Sequence, residues 1–192
     1  MKKTGLYFGS FNPVHIGHMA IANYMVEFTD IDQLWFVVSP QNPLKKKSSL
    51  LADHHRLALL NIAIDDSLLF KASNIEFKMP RPSYTIDTLT YLNEKYPNRE
   101  WVLIMGADNL KSLHKWKNYQ QLIENYEIYV YPRPGININD YSDKINLKII
   151  DAPLIEISSS FIRKAISEGN DVRYFMPGKV AEYVTDMHFY EK

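Results

Sequence analysis

The 192-residue chain contains no cysteine, and its 22 lysines and arginines equal its 22 aspartates and glutamates. Without cysteine, disulfides and thiolate metal sites are excluded. With balanced charge, no overall field draws the protein to nucleic acid or to an acidic membrane, so anion recognition has to be local. We therefore expect binding to take place in a pocket, with no nucleic-acid partner.

The chain also lacks long hydrophobic runs, and none approaches the roughly 18 apolar residues of a spanning helix. The opening stretch MKKTGLYFGSF breaks at Gly9 and has no small-residue cleavage site, unlike a signal peptide. We expect a cytoplasmic protein with no membrane partner. No repeat or long linker divides the sequence, which predicts a single domain over residues 1–192 and leaves homo-oligomerisation open.

Short apolar runs of strand length recur along the chain and alternate with helix-like stretches. The runs begin at Leu6, Leu34, Leu68, Trp101, Glu127 and Leu147. Several are apolar at consecutive positions, which is typical of parallel strands covered on both faces. The helix-like stretch SSSFIRKAISEG closes on Gly169, a residue type suited to a helix C-cap. The alternation predicts an α/β fold with a Rossmann-like doubly wound parallel sheet and helices on both faces.

The stretch GSFNPVHIGH, residues 9–18, directly follows the first predicted strand. In open parallel sheets, ligands bind beyond the carboxyl ends of the strands. A glycine at position 9 would let a phosphate approach the backbone, and His15 and His18 would share one face of a helix N-terminus that favours anions. Surface histidines or a metal pair are alternatives, although no HExxH pattern or nearby carboxylate completes a metal site, so we predict no metal ligands.

The tetrapeptide HIGH at residues 15–18, behind GSFNP, resembles the signature of the nucleotidyltransferase superfamily, which also includes class I aminoacyl-tRNA synthetases. The resemblance implies that His15 and His18 contact the triphosphate of ATP and stabilise negative charge while its α-phosphate is attacked. It also assigns Gly9, Ser10 and Phe11 to ATP binding.

The segment EISSSFIRKAI places three serines at a predicted helix start, with Arg163 one turn inside. Alone, it would suit an N-cap with a solvent-facing arginine. Beside HIGH, it resembles the ISS[ST]xxR motif of the same superfamily. The resemblance implies that Ser159, Ser160 and Arg163 hold the β and γ phosphates, with Arg163 counted as catalytic beside the two histidines. A synthetase is not favoured, because KKKSS follows the second strand and the net charge is zero.

Three further stretches resemble the bacterial nicotinate mononucleotide adenylyltransferase family, namely SYTIDTL (83–89), GADNLKSLHKW (106–116) and PLKKKSSLLADHHR (43–56). The resemblance implies that Tyr84, Thr85, Asp108 and Trp116 bind the mononucleotide. A pyridine carboxylate suits an aromatic platform with backbone donors. On the sequence alone, Trp116 could instead belong to the core, and Thr85 and Asp108 could be capping residues.

The resemblance also matches Lys45 and Arg56 to a lysine and an arginine of the family pattern, in which the lysine-bearing loop closes over triphosphate. A solvated charge run is the alternative, and the choice among residues 45–47 stays open. The chain departs from the family pattern GG[TS]FDP at Phe8 and Asn12, and reads NPLKK where the family has PPHK.

The implied reaction joins ATP, as its Mg²⁺ complex, to nicotinate mononucleotide and gives deamido-NAD and pyrophosphate without a covalent enzyme intermediate. Nicotinamide mononucleotide and phosphopantetheine remain alternative acceptors. A regulator that binds nucleotide without turnover is the alternative from a different class.

Overall fold

The computed structural model describes residues 1–40, 50–65, 67–137, 141 and 147–192. Within them lies one six-stranded sheet in the order β3-β2-β1-β4-β5-β6, and every neighbouring pair is parallel. The strands are β1 (Lys2–Gly9), β2 (Gln33–Val38), β3 (Phe70–Ser73), β4 (Arg99–Gly106), β5 (Glu127–Tyr131) and β6 (Leu147–Ile149). Each apolar run identified in the sequence forms one of these strands, which confirms the predicted doubly wound parallel sheet.

Helices cover both faces of this sheet. They are α1 (Ile16–Phe28), α2 (Asp53–Ala63), α3 (Thr85–Lys95), α4 (Tyr119–Asn125), α5 (Ser159–Ser167) and α6 (Gly178–Asp186). Short 3₁₀ helices span Ile75–Lys78, Ala107–Lys115 and Arg173–Phe175. Helix α5 ends before Gly169, whose φ of +79° is the left-handed conformation expected of a glycine beyond a helix end. The helix expected to begin at Asp108 is the 3₁₀ helix Ala107–Lys115, whereas the sequence pattern does not predict α6 or the other two 3₁₀ helices.

Successive strand residues point to opposite faces and build two separate apolar clusters. Leu6 and Trp35 belong to the cluster under α3 and α4, whereas their neighbours Tyr7 and Phe36 belong to the cluster under α1, α2, α5 and α6. Burial on both faces explains why these strands read as continuous apolar runs. Among the described residues, no helix is both long enough and apolar enough to cross a membrane.

The strand order reverses between β1 and β4, which lie side by side at the centre of the sheet. From β1 the chain moves outward through β2 and β3, and it then returns to β4 before moving to the other edge. The carboxyl ends of these central strands, Gly9 and Gly106, therefore border the crevice in which ligands of doubly wound folds bind. His15 and His18 follow one strand, and Asp108 follows the other.

A fully buried guanidinium, that of Arg56 on α2, ties together the loops at this edge of the sheet. Its Nη1 donates to the carbonyl oxygens of Ser10 at 2.7 Å and Ser39 at 2.8 Å. Its Nε donates to Leu51 O at 3.1 Å, and its Nη2 lies 2.6 Å from the Asp53 carboxylate. Arg56 thus joins the turn after β1 to the end of β2. These contacts give it an architectural role.

We expect Arg56→Met to lower the free energy of unfolding by about 3 kcal/mol, because it leaves buried carbonyl oxygens without their donor. Urea unfolding measures the loss. Arg81→Met is the matched control, since Arg81 contacts the same Asp53 from an exposed position and leaves the buried bonds intact. Equal stability of Arg56→Met and the wild-type protein would show that these bonds do not hold the loops.

Candidate active site

The two histidines of HIGH lie against each other at the first turn of α1. Their rings stack with centroids 3.7 Å apart, and His15 occupies the N-cap position. The backbone N–H of His15 donates to Nδ1 of His18 at 3.2 Å. Because this Nδ1 accepts, the proton of a neutral His18 ring resides on Nε2, which becomes the donor. His18 also lines a pocket at the carboxyl edge of the sheet.

His15 is almost fully buried, at 4 % exposure, and its Nδ1 has no hydrogen-bond partner among the described residues. Burial, together with the nearby Arg133 cation, lowers the pKa of His15 to about 4. The ring is therefore neutral at physiological pH. If His15 interacts with a phosphate, it does so through an N–H hydrogen bond and not through a positive charge.

Gly17 in the centre of HIGH packs closely against its neighbours. A Cβ at this position would lie 3.0 Å from both Nδ1 of His15 and Cγ2 of Ile155. Such contacts are tighter than ordinary van der Waals packing, so a side chain here would require His15 or Ile155 to shift. The glycine thus lets the His15 ring lie close to the α1 backbone.

Gly9 carries a packing role as well. A Cβ there would lie 2.8 Å from the ring of Phe11, which is buried and has a positive φ of 45°. The glycine therefore accommodates an aromatic ring of its own loop. The expected contact of the Gly9, Ser10 and Phe11 segment with ATP stays a prediction.

The start of α5 contacts the loop that carries the histidines. Ser159 Oγ donates to Pro13 O at 2.9 Å, and Arg163 Nη1 donates to Asn12 O at 2.8 Å. Nη2 of the same arginine donates to Ser160 Oγ at 3.3 Å. The N-cap is Ser158, whose hydroxyl accepts from the backbone N–H of Phe161. Arg163 is therefore not simply solvent-facing, and two motifs separated by about 150 residues form one cluster.

The departure from the family pattern at Asn12 is accommodated by two donors. Asn12 Oδ1 accepts from the backbone N–H of Leu51 at 3.2 Å and from the Tyr190 hydroxyl at 2.8 Å. An amide oxygen meets both donors as a carboxylate oxygen would. The other departure, Phe8, packs against the cluster under α3 and α4. The NPLKK segment, including Lys45, lies outside the described residues, so its predicted contact with phosphate stays a prediction.

Three of the four residues expected to bind a mononucleotide, Tyr84, Thr85 and Trp116, lie at or near the start of α3, whereas Asp108 contacts Arg133. Tyr84, not Thr85, is the N-cap, and Thr85 is the first helical residue. Trp116 is half-buried against the cluster under α3 and α4. The next residue, Lys117, lies 4.9 Å from the centre of the Tyr84 ring and pairs with Asp87 at 2.8 Å. These contacts bring the Trp116 segment beside Tyr84.

Arg133 belongs to the pocket but is not singled out by the sequence, where it reads as part of a polar loop. Its Nε lies 3.5 Å from the Asp108 carboxylate, and its Nη2 donates to the Tyr131 hydroxyl at 3.2 Å. A Cβ at Gly106 would lie 2.5 Å from Asp108 Oδ1 and 2.9 Å from Arg133 Nε, so the glycine makes room for this pair. The buried Nε has no hydrogen-bond partner among the described residues. The sequence signal that could have identified Arg133 is its position just after β5, at the carboxyl edge of the sheet.

The pocket between these elements is lined by residues that include His15, His18, Tyr131, Arg133 and Ile157. It combines apolar walls with imidazole and guanidinium groups that donate hydrogen bonds, while the α5 tip lies across the Asn12–Pro13 loop. Such a donor set suits phosphate oxygens.

Comparison with known proteins agrees with this geometry. The model of the cytidylyltransferase-like family matches residues 6–165. A Flavobacterium johnsoniae protein named "Probable nicotinate-nucleotide adenylyltransferase" is 54% identical, over 99% of this chain and 100% of its own length. The chain belongs to the nicotinate-nucleotide adenylyltransferase family. A Flavobacterium psychrophilum member with the same name is 51% identical over 99% of this chain and 100% of its own length.

Solved structures support the fold of the family. The Plasmodium falciparum nicotinic acid mononucleotide adenylyltransferase complexed with NaAD superimposes with a TM-score of 0.85 at 22% identity. The match covers 99% of this chain and 98% of the other. A second structure of the P. falciparum protein, complexed with APC, gives a TM-score of 0.84 at the same identity and coverage.

We expect the free energy of unfolding to fall as pH drops from about 6.5 to about 4, because the unfolded chain binds a proton on His15 that the folded state resists. The contribution of His15 over this window is about 3 kcal/mol. Urea unfolding at intervals of pH measures it. His15→Asn should flatten the profile between these limits, whereas exposed His188→Gln should not. An unchanged slope in His15→Asn would contradict the buried neutral ring.

Proposed function

We propose that the protein transfers the adenylyl group of ATP to nicotinate mononucleotide, giving deamido-NAD and pyrophosphate. The observation that carries this proposal is the junction of the two phosphate motifs, in which Ser159 and Arg163 bind the carbonyls of the Asn12–Pro13 loop just before His15. Both motifs can then act on one triphosphate. The names of the full-length relatives and the P. falciparum complexes support the same substrates.

In the proposed step, an oxygen of the mononucleotide 5′-phosphate attacks the α-phosphorus of ATP. The new phosphorus–oxygen bond forms as the bond to the bridging oxygen breaks, and pyrophosphate leaves with that electron pair. The attacking phosphate is already anionic near neutral pH, so the step requires no general base. The protein's task is to align two anions that repel each other and to stabilise the charge that develops between them.

In the proposal, different residues of the site contact different phosphates of ATP. Nε2–H of His18 would donate to the α-phosphate, and neutral His15 supports it through the stacked ring. Ser159, Ser160 and Arg163 at the α5 tip would hold the β and γ phosphates. The guanidinium of Arg133, which lines the same pocket as the two histidines, would add positive charge near the reacting phosphorus.

The remaining ATP contacts in the proposal come from the loop after β1 and from Lys45. Gly9, Ser10 and Phe11 would offer backbone groups at the crevice between β1 and β4. The imidazole, hydroxyl and guanidinium groups near the pocket would hold the phosphate oxygens of ATP supplied as its Mg²⁺ complex. The ion that accompanies ATP would supply charge neutralisation.

The mononucleotide would occupy the side of the crevice beyond β4. Tyr84 and Thr85 present the N-terminus of α3, whose free N–H groups and dipole favour a carboxylate. Trp116 would stack on the pyridine ring, and Asp108, held by Arg133, would accept hydrogen bonds from ribose hydroxyls. The acid form of the pyridine nucleotide fits a helix N-terminus better than the neutral amide does.

The proposal is tested by measuring pyrophosphate release with Mg²⁺-ATP and each acceptor in turn. Nicotinate mononucleotide should give the highest kcat/KM, ahead of nicotinamide mononucleotide and phosphopantetheine. A preference for either other acceptor would replace the proposed substrate. Tight ATP binding without pyrophosphate release under any acceptor would instead indicate a nucleotide-binding regulator.

We expect His18→Ala to lower kcat by about 10²-fold or more, the scale of removing one preorganised donor to a developing charge. Circular dichroism should show an intact fold, because the change lies at the surface of the pocket. His188→Ala is the control, as its side chain is 77% exposed and does not line the pocket. A kcat close to that of the wild-type protein would remove His18 from the reaction.

A further inference from the structure

Glu76 is a buried carboxylate to which the proposed reaction gives no role. It lies in the 3₁₀ helix Ile75–Lys78 that follows β3, at the carboxyl edge of the sheet, and it is only 2% exposed. A carboxylate in such a position costs free energy unless hydrogen-bond donors surround it. Its partners therefore indicate what the residue is for.

Those partners flank the start of α3. Glu76 Oε2 accepts from Ser83 Oγ at 2.8 Å, and Oε1 accepts from Thr88 Oγ1 at 2.8 Å. The hydroxyl of Ser39, directly after β2, is a third donor. Burial raises the pKa of Glu76, and the hydrogen bonds from the three hydroxyls oppose that rise.

The hydrogen bonds from Ser83 and Thr88 to Glu76 lie on either side of Tyr84 and Thr85 in the sequence. Ser83 precedes this pair, and Thr88 follows it by less than one helical turn. From the other side, Lys117 approaches the Tyr84 ring at 4.9 Å. The first turn of α3 is thus held between a buried carboxylate and an exposed ammonium. The contact from Glu76 is the more rigid of the two, because both its oxygens are engaged in the interior.

Rigidity at this turn matters because backbone N–H groups cannot be repositioned by a rotamer change. Their direction is set by the φ and ψ angles of the turn, and a ligand bound by them gains most when the turn is ordered beforehand. A carboxylate with two oxygens can fix two points of a chain at once, which a single hydroxyl or an apolar side chain at position 76 would not do.

We propose that Glu76 is a positioning residue for the acceptor substrate, holding the Ser83–Thr88 turn so that its backbone is ordered to receive the mononucleotide. The inference rests on the proposed function for the identity of that substrate. It predicts a separation between the two substrates, because the proposed ATP contacts lie in residues 9–18, at Lys45 and at the start of α5, whereas two of the three hydrogen bonds of Glu76 go to the α3 turn.

The test compares Glu76→Ala, Glu76→Gln and a matched control. We expect Glu76→Ala to raise the KM for nicotinate mononucleotide about tenfold, on the scale of a small misplacement of binding groups. The KM for ATP should change less than about twofold. Glu76→Gln should restore most of the loss, because its amide accepts from one hydroxyl and donates to the other. The control is Asn93→Ala, which removes a hydrogen bond to Tyr126 from the same helix and should change neither KM.

Hydrogen exchange without ligand gives a readout that does not depend on turnover. In Glu76→Ala, backbone amides of residues 88–92, which donate the first hydrogen bonds of α3, should exchange faster, while those of α5 should not. Equal rises in both KM values, the same effect in Asn93→Ala, or unchanged exchange at residues 88–92 would overturn the inference. If the wild-type protein forms no product with nicotinate mononucleotide, the proposed function fails, and the exchange data alone decide whether Glu76 orders this turn.

Discussion

The common direction of the strands is the constraint on which the site depends. Because all pairs in the described sheet are parallel, the carboxyl ends of β1, β4 and β5 lie at one edge, and the loops that leave them are neighbours however far apart they are in sequence. His15 and His18 follow β1, Asp108 follows β4, and Arg133 follows β5. An antiparallel sheet of the same strands would send every second loop to the opposite edge.

Loops that leave a sheet have no ladder of hydrogen bonds, so something else has to fix them. In this protein three charged side chains do so. Arg56 binds carbonyls at the ends of β1 and β2, Arg163 binds the carbonyl of Asn12, and Glu76 binds the hydroxyls before and within α3. Desolvating a charge costs several kcal/mol, and each charge-assisted hydrogen bond recovers about 1.5–3 kcal/mol. Several bonds to one group are needed for the balance to favour burial, and Arg56 and Glu76 each have them.

Sequence patterns predict the strands and most helices because burial on both faces leaves a signal within each segment. They also indicate the phosphate-binding roles expected of HIGH and SSSFIR, because each motif is a short continuous segment. They do not predict that Arg163 bonds to Asn12, since no periodicity encodes a contact across 151 residues. The roles of Glu76 and Arg133 are not predicted either, for a related reason. A single charged residue in a polar stretch looks solvated until the fold shows that one is buried and the other lines the pocket.

Burial determines which side chains of the pocket carry a positive charge. A buried imidazole loses its proton more readily because the charged form is poorly solvated, and a neighbouring cation adds to the effect. In this pocket, burial and then the Arg133 cation lower the pKa of His15 to about 4. Positive charge at this position then resides on the guanidinium of Arg133, while the neutral His15 ring supplies a directed donor. The field that His15 and Arg133 together produce at the phosphate site therefore stays constant around neutrality, which an imidazolium titrating in that range at position 15 would not provide.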